Sequence, residues 1–324
     1  MALLRSMFFF VLSGYVIAWS ADKSNSSFVN TIISRVLRLA IPSAISKIMA
    51  AALFNLSISN VTASADLVNH WWIKNLLTYD KGVGWGSTLQ EAAGTFFWSG
   101  QSVNNAVLWT MQRELVGSVA IYALFTMKTG LFRLVACVAV FYLTVIANFD
   151  PWYYICFLNG VLIYFARDII SILSPRVSTP LIVIGVFLGG KPFFPPPGES
   201  VYYWPYAASS YLGLSMYVWP LGATFLLAGS ISSETFRLLL LKKPFVFLGR
   251  ISFSLYLVHF PLMLVFMTNW FVKYGFWPAS FLYMILMFVL AFAFTVFVDE
   301  PTVALCRRLR GRPRLASIAA APGS

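Results

Sequence analysis

The residues of this chain suited to chemistry are few, and nearly all of them stand in apolar surroundings. The run FLGRISFSLYLVHFPL, Phe247–Leu262, holds Arg250 near its start and His259 further in. An imidazole titrates near neutral pH and can take or give a proton. An ionisable group in hydrocarbon costs about 2.5–3.5 kcal/mol on insertion scales, so it is a functional candidate by default. A lone histidine there can equally act as a hydrogen-bonding link between helices. Ser252, Ser254 and Tyr256 of the same run are suited to bonding backbone carbonyls or neighbouring helices.

A second constellation is Trp109, Arg113 and Glu114. Glu114 lies about ten residues into an apolar run, roughly 15 Å deep at 1.5 Å per residue. It is the one carboxylate expected inside a span. Adjacent helical residues point about 100° apart, so Arg113 and Glu114 need not pair with each other. A glutamate at that depth can orient an acceptor hydroxyl or neutralise a buried cation, and a structural ion pair between helices is the alternative. Both Glu114 and His259 are expected to face one shared interior cavity rather than lipid.

Arg35 and Arg38 are spaced i, i+3 and share one helical face, at the expected start of a helix. Guanidinium forks bind phosphates bidentately. The alternative is a pair of cations anchoring a helix end. Ser13 and Gly14 form a small step that permits close packing. No base stands beside Ser13, so nothing in the sequence makes it a nucleophile. Asp299, Glu300 and Pro301 close the last apolar run and read as a stop.

The elements that must position these residues are transmembrane helices. Of 324 residues, 59% are hydrophobic and only 10% charged, with a mean hydropathy of +0.78. Soluble domains carry about 25% charged residues. The apolar stretches are continuous rather than alternating, which favours helices over a β-barrel. The fold class is therefore all-α, a polytopic helical bundle. A span needs about 20 apolar residues, and nine are expected: 3–20, 36–58, 104–127, 131–148, 152–166, 177–190, 205–228, 245–268 and 277–298. Gly185 and Gly189 supply a small-residue pair at G-x-x-x-G spacing. The loop GGKPFFPPPGES, Gly189–Ser200, is too rich in proline to be helical throughout.

The segment 59–103 holds His70–Trp72 and the run GVGWG, Gly82–Gly86. Its tryptophans suit a membrane interface, and GVGWG lacks the spacing of a nucleotide-binding loop. The net charge of +12 does not point to nucleic acid, because the cations sit in short loops. Of 23 lysines and arginines, Arg5, Lys47 and Arg113 lie within spans, and Lys74, Lys81, Lys191 and Lys273 in one set of loops. The other sixteen lie in the opposite set, which is therefore expected in the cytoplasm together with the C-terminus. Residues 302–324 read as a basic tail against anionic headgroups, without fixed structure. Cys137, Cys156 and Cys306 show no metal spacing and read as packed thiols. With nine spans the N-terminus would lie outside, so the topology expects one more helix upstream.

Five segments, in order, resemble acyltransferase family 3, membrane O-acyltransferases that modify surface polysaccharides and related glycans. They are FFFVLSGYVI (Phe8–Ile17), ISRVLRLAIP (Ile33–Pro42), NAVLWTMQREL (Asn105–Leu115), FLGRISFSLYLVHFPL and VDEP (Val298–Pro301). The resemblance implies ten core helices with both ends cytoplasmic. It implies a donor role for Arg35 and Arg38, with acyl-CoA, expected to be acetyl-CoA, as the cofactor-like donor. It places Glu114 and His259 near the active region. Ser13, Gly14, Trp109, Arg113, Arg250, Ser252, Tyr256 and Glu300 are the other motif positions. The family's first helix, with its arginine and its proposed catalytic histidine, has no counterpart here, and neither His70 nor His259 occupies that motif. The chain by itself is therefore expected to lack transfer activity.

The reading is a multi-pass protein of the cell (inner) membrane, an O-acyltransferase moving an acyl group from cytosolic acyl-CoA to a glycan hydroxyl. Its expected partners are the glycan acceptor and membrane lipids, with no nucleic acid and no metal. A glycan or lipid transporter is the rival, and an inactive member of the family the third possibility.

Overall fold

The structure, a computed structural model, describes residues 2–24, 26–56, 83–95, 105–127 and 151–310, with isolated residues between them. His70–Trp72, most of the expected span 131–148, and residues 311–324 lie outside the described residues. Among the described residues every regular element is helical. In chain order these are α1 (Ala2–Asp22), α2 (Phe28–Asn55), α3 (Trp85–Gln90), α4 (Trp109–Phe125), α5 (Pro151–Phe165), α6 (Arg167–Ser171) and α7 (Pro175–Gly189). There follow α8 (Tyr203–Tyr211), α9 (Val218–Ser232), α10 (Glu234–Leu240), α11 (Lys243–Leu262), α12 (Thr268–Tyr274), α13 (Phe276–Phe294) and α14 (Glu300–Leu309).

Three continuous helical stretches are long and apolar enough to cross a membrane: Phe28–Asn55, Lys243–Tyr274 and Phe276–Leu309. Ser6–Asp22, Pro151–Phe165 and Pro175–Gly189 are apolar but shorter. The expected span 205–228 is instead two helices. The break is a Schellman cap: Gly213 takes φ 66°, its N–H donates to the Ser210 carbonyl, and the Leu214 N–H donates to the Ser209 carbonyl. The loop after α7 is non-helical from Lys191 to Tyr202, in keeping with its prolines.

The chain divides into two compact units. The first comprises residues 1–24 and 113–249. Its helices meet through small residues. A Cβ on Gly160 would stand 2.1 Å from the Val11 carbonyl oxygen, and one on Gly14 would stand 2.3 Å from the Phe157 carbonyl oxygen. The backbones of α1 and α5 therefore touch, and the S-G step of the sequence is a packing device. Gly185 of α7 works likewise against α9, where its Cβ would stand 2.6 Å from the Leu226 nitrogen, whereas a Cβ on Gly189 would meet the Leu4 side chain of α1. Asp22 ties the end of α1 by accepting from the Tyr164 hydroxyl at 2.6 Å and pairing with Arg133 at 3.0 Å.

The second unit comprises residues 25–112 and 250–324. Ala50, Phe54, Phe260, Leu264 and Val265 form an apolar core cluster in it. Helices α2 and α14 are stitched by a reciprocal pair: the Ser34 hydroxyl donates to the Cys306 carbonyl, and the Cys306 thiol donates to the Ser34 carbonyl. Ser26 adds a bond to the Arg310 carbonyl at 2.8 Å. The segment expected as an unstructured tail from 302 thus begins as α14 and packs on α2.

Candidate functional site

The FLGRISFSLYLVHFPL run is helical from Lys243 to Leu262, and its proline sets up the site. Pro261 has no N–H, so the carbonyl of Leu257, four residues earlier, loses its helical partner. Two side chains replace it. Ser46 of α2 donates to the Leu257 oxygen at 2.9 Å, and Asn105 donates to it at 2.8 Å and to the Ser46 hydroxyl at 2.8 Å. Tyr256 reaches the other way, bonding the Val107 carbonyl and the Thr110 hydroxyl. Proline, serine, asparagine and tyrosine together fasten three sequence motifs of the second unit. Ser254 accepts from Thr295 at 2.8 Å, and Ser252 lies exposed.

His259 is half-buried, with Nδ1 2.8 Å from the Tyr256 carbonyl. A carbonyl only accepts, so Nδ1 carries the proton and the neutral ring has its lone pair on Nε2. The Tyr283 hydroxyl donates to the His259 carbonyl at 2.9 Å. A wide helical turn, Met263–Met267, follows directly. Ring and backbone are both held, which suits a base whose orientation matters.

The arginine pair sits differently from the sequence expectation. Helix α2 begins at Phe28, where Ser27 accepts from the Asn30 N–H, so Arg35 and Arg38 lie two to three turns inside it rather than at its start. Arg38 pairs with Asp299 at 3.1 Å, the two side chains being 30% and 7% exposed. Its guanidinium also lies over the Phe253 ring at 5.6 Å. Asp299 ends a second wide turn, Thr295–Asp299, and the helix then continues as α14 to Leu309. The run Asp299–Pro301 is therefore no stop. Pro301 lies inside this continuous helix, so the Phe297 carbonyl, four residues earlier, lacks its usual helical donor, and the wide turn directly precedes it. Wide turns add a residue and re-aim side chains, and they recur at functional sites. Arg250 and Glu300 pair at 2.7 Å, both roughly half exposed.

Lys47 was not singled out from the sequence. It is buried on α2, donates to the Glu91 carbonyl at 3.0 Å, and has the Glu91 carboxylate at 4.0 Å. Glu91 opens a wide turn after α3. Ser43, Ser46 and Lys47 lie within about 100° on the helix, a polar stripe in an apolar segment that was the legible signal. With Glu91 and Asp299 both buried, Glu114 is not the sole interior carboxylate.

In the first unit, Glu114 is 2% exposed, as an interior carboxylate should be. Its carbonyl accepts from Ser118 one turn on. Arg113 points to a different neighbour, with its guanidinium 5.0 Å over the Tyr153 ring of α5. Trp109 and Ser13 are half-buried.

No curated protein and no solved structure matches the chain. Residues 2–298 do match the acyltransferase domain that defines a known family. Across nearly its whole length, then, this apolar, helical chain belongs to acyltransferase family 3.

Proposed function

We infer that this protein is an integral membrane O-acyltransferase that takes an acyl group, acetyl by expectation, from cytosolic acyl-CoA. It transfers that group to a hydroxyl of a glycan at the opposite face. The observation that carries this reading, beyond the family, is the Arg35–Arg38 pair on α2. Acyl-CoA presents phosphates, and Arg38 is held beside one anion already, the Asp299 carboxylate. A phosphate oxygen can take the place of that carboxylate with similar geometry. In the transfer, the acceptor oxygen bonds to the thioester carbonyl carbon, the C–S bond breaks, and the acceptor proton passes by way of a base to the departing thiolate. His259, protonated on Nδ1, supplies a lone pair at Nε2 for that role. Glu114 serves to orient the acceptor or balance a buried cation.

The donor assignment is tested with labelled acyl-CoA and the full chain in lipid nanodiscs. A charge-assisted hydrogen bond contributes about 1.5–3 kcal/mol, so Arg38→Ala should bind the donor at least about tenfold more weakly. Arg38→Lys should recover only part of this, because an ammonium lacks the fork. Unchanged binding by the alanine variant would make Arg38 a purely structural partner of Asp299. A transporter would bind the glycan but not acyl-CoA, so donor binding separates those two readings, and thioester cleavage separates an active enzyme from an inactive member of the family.

The orientation has its own check. With the native cysteines replaced, Asn75→Cys should react with an impermeant maleimide in intact cells, and Gly323→Cys only after permeabilisation. Labelling of both from one side would overturn the assignment of the C-terminus to the cytoplasm.

A further inference from the structure

Lys191, in the first unit, is buried to 2% exposure at the end of α7. Its ammonium lies 4.5 Å over the Trp219 ring and 4.7 Å over the Tyr206 ring. One of its three N–H groups donates to the Ser215 hydroxyl at 2.8 Å. Among the described residues no carboxylate lies within ion-pairing distance of it. Its own backbone is pinned, since the Trp219 indole N–H donates to the Lys191 carbonyl at 3.0 Å. Burial without a counter-charge pushes the amine below the usual lysine range. A buried cation lacking an anion is costly.

The surroundings are a second observation. Phe193 stacks on Trp219, and Phe194 packs edge-on against Phe193. Both rings are exposed. Trp204, two residues before Tyr206 on α8, is 77% exposed. Flat exposed rings beside a recessed cation are complementary to a ligand with an apolar ring face and an anionic substituent, which describes an acidic sugar. A lipid headgroup fits less well. Lysines that serve lipid phosphates extend along apolar surface and put the ammonium in water, whereas this ammonium is enclosed by aromatic faces.

We propose that Lys191, Ser215, Tyr206 and Trp219, rimmed by Phe193 and Trp204, form a binding site for an anionic saccharide. The anion, a uronate carboxylate or a sugar phosphate, pairs with the Lys191 ammonium and accepts from the Ser215 hydroxyl. A sugar ring stacks on the exposed aromatics. The proposal rests on the acyltransfer reading only in taking this saccharide as the acceptor, and on the proposed orientation the site faces away from the cytoplasm.

The test is direct binding to the full chain in neutral-lipid nanodiscs, by titration calorimetry, with no donor present. The ligands are a glucuronate-bearing oligosaccharide, its carboxyl-reduced neutral counterpart, and a phosphorylated oligosaccharide of the same length. The acidic ligands should bind at least tenfold more tightly than the neutral one, and whichever anion binds better identifies the substituent. Lys191→Met should abolish the preference and Lys191→Arg should keep most of it. Equal binding of acidic and neutral ligands, or binding of neither, overturns the proposal. So does loss of the preference on adding phosphatidylglycerol, which would assign the site to lipid. Should Lys191→Met not fold, the comparison of ligands on the unaltered chain still decides. Labelled acyl-CoA bound to the same preparation reports separately on the acyltransfer reading.

Discussion

Gly160→Ala should destabilise the protein by about 3 kcal/mol, the upper end of what overpacking costs. The added methyl would lie 2.1 Å from the Val11 carbonyl oxygen, 2.6 Å from the Tyr15 nitrogen and 2.8 Å from the Gly14 Cα. All three are backbone atoms of α1, so no side chain can rotate aside, and α1 and α5 must move apart. Alanine is the better helix former by about 1 kcal/mol, and the clash has to exceed that gain as well. The matched control is Gly86→Ala, where a Cβ meets nothing within 4 Å. There the same change should be neutral or slightly stabilising. Midpoints of thermal or detergent-induced unfolding of the two purified variants make the comparison. A Gly160→Ala protein as stable as the Gly86→Ala one would show that α1 and α5 do not approach so closely.

Asp299→Ala should cost about 2 kcal/mol of stability, because removing one partner leaves the other charge poorly solvated. Full burial of both ions would make the loss larger, about 3–5 kcal/mol. Arg38 keeps 30% exposure, and water offsets part of the loss. Replacing both residues, Arg38→Leu with Asp299→Leu, should recover most of the stability, since a buried pair rarely exceeds a well-packed apolar substitute. Donor binding separates the roles. Asp299→Ala should leave acyl-CoA affinity unchanged or tighter, because it removes the carboxylate competing for Arg38, whereas Arg38→Ala weakens it. Loss of donor binding in both variants to the same degree would show that the pair acts only by holding α2 and α14 together.

Several features were legible in the residues alone. Helical class and membrane character follow from continuous apolar runs with few charges, and the order of five motifs carried the family. The close-packing role of Ser13–Gly14 and of Gly185 and Gly189 followed from residue size. Helix boundaries were less legible. Ser27, a polar residue just ahead of FVNTIISR, caps α2, which begins eight residues before the expected start of that span. The span 205–228 hid a Schellman cap, because a single glycine in an apolar stretch does not reveal its φ.

What the sequence by itself determined is composition-borne: helices, an apolar environment, and which few ionisable residues are costly enough to matter. Those properties sum over residues and need no knowledge of neighbours. Partnership was decided by the tertiary structure. Asp299 reads as the end of a helix until a wide turn aims it at Arg38 across 261 positions of chain. Asn105 reads as a polar residue at the edge of an expected span until Pro261 strips the Leu257 carbonyl of its donor and folding brings the two together. Lys191 reads as one loop cation among four until Trp219 and Tyr206 close over it. Hydrogen bonds and ion pairs act only within about 3–4 Å, and distances that short between remote positions are set by how helices pack, not by the spacing of residues along the chain.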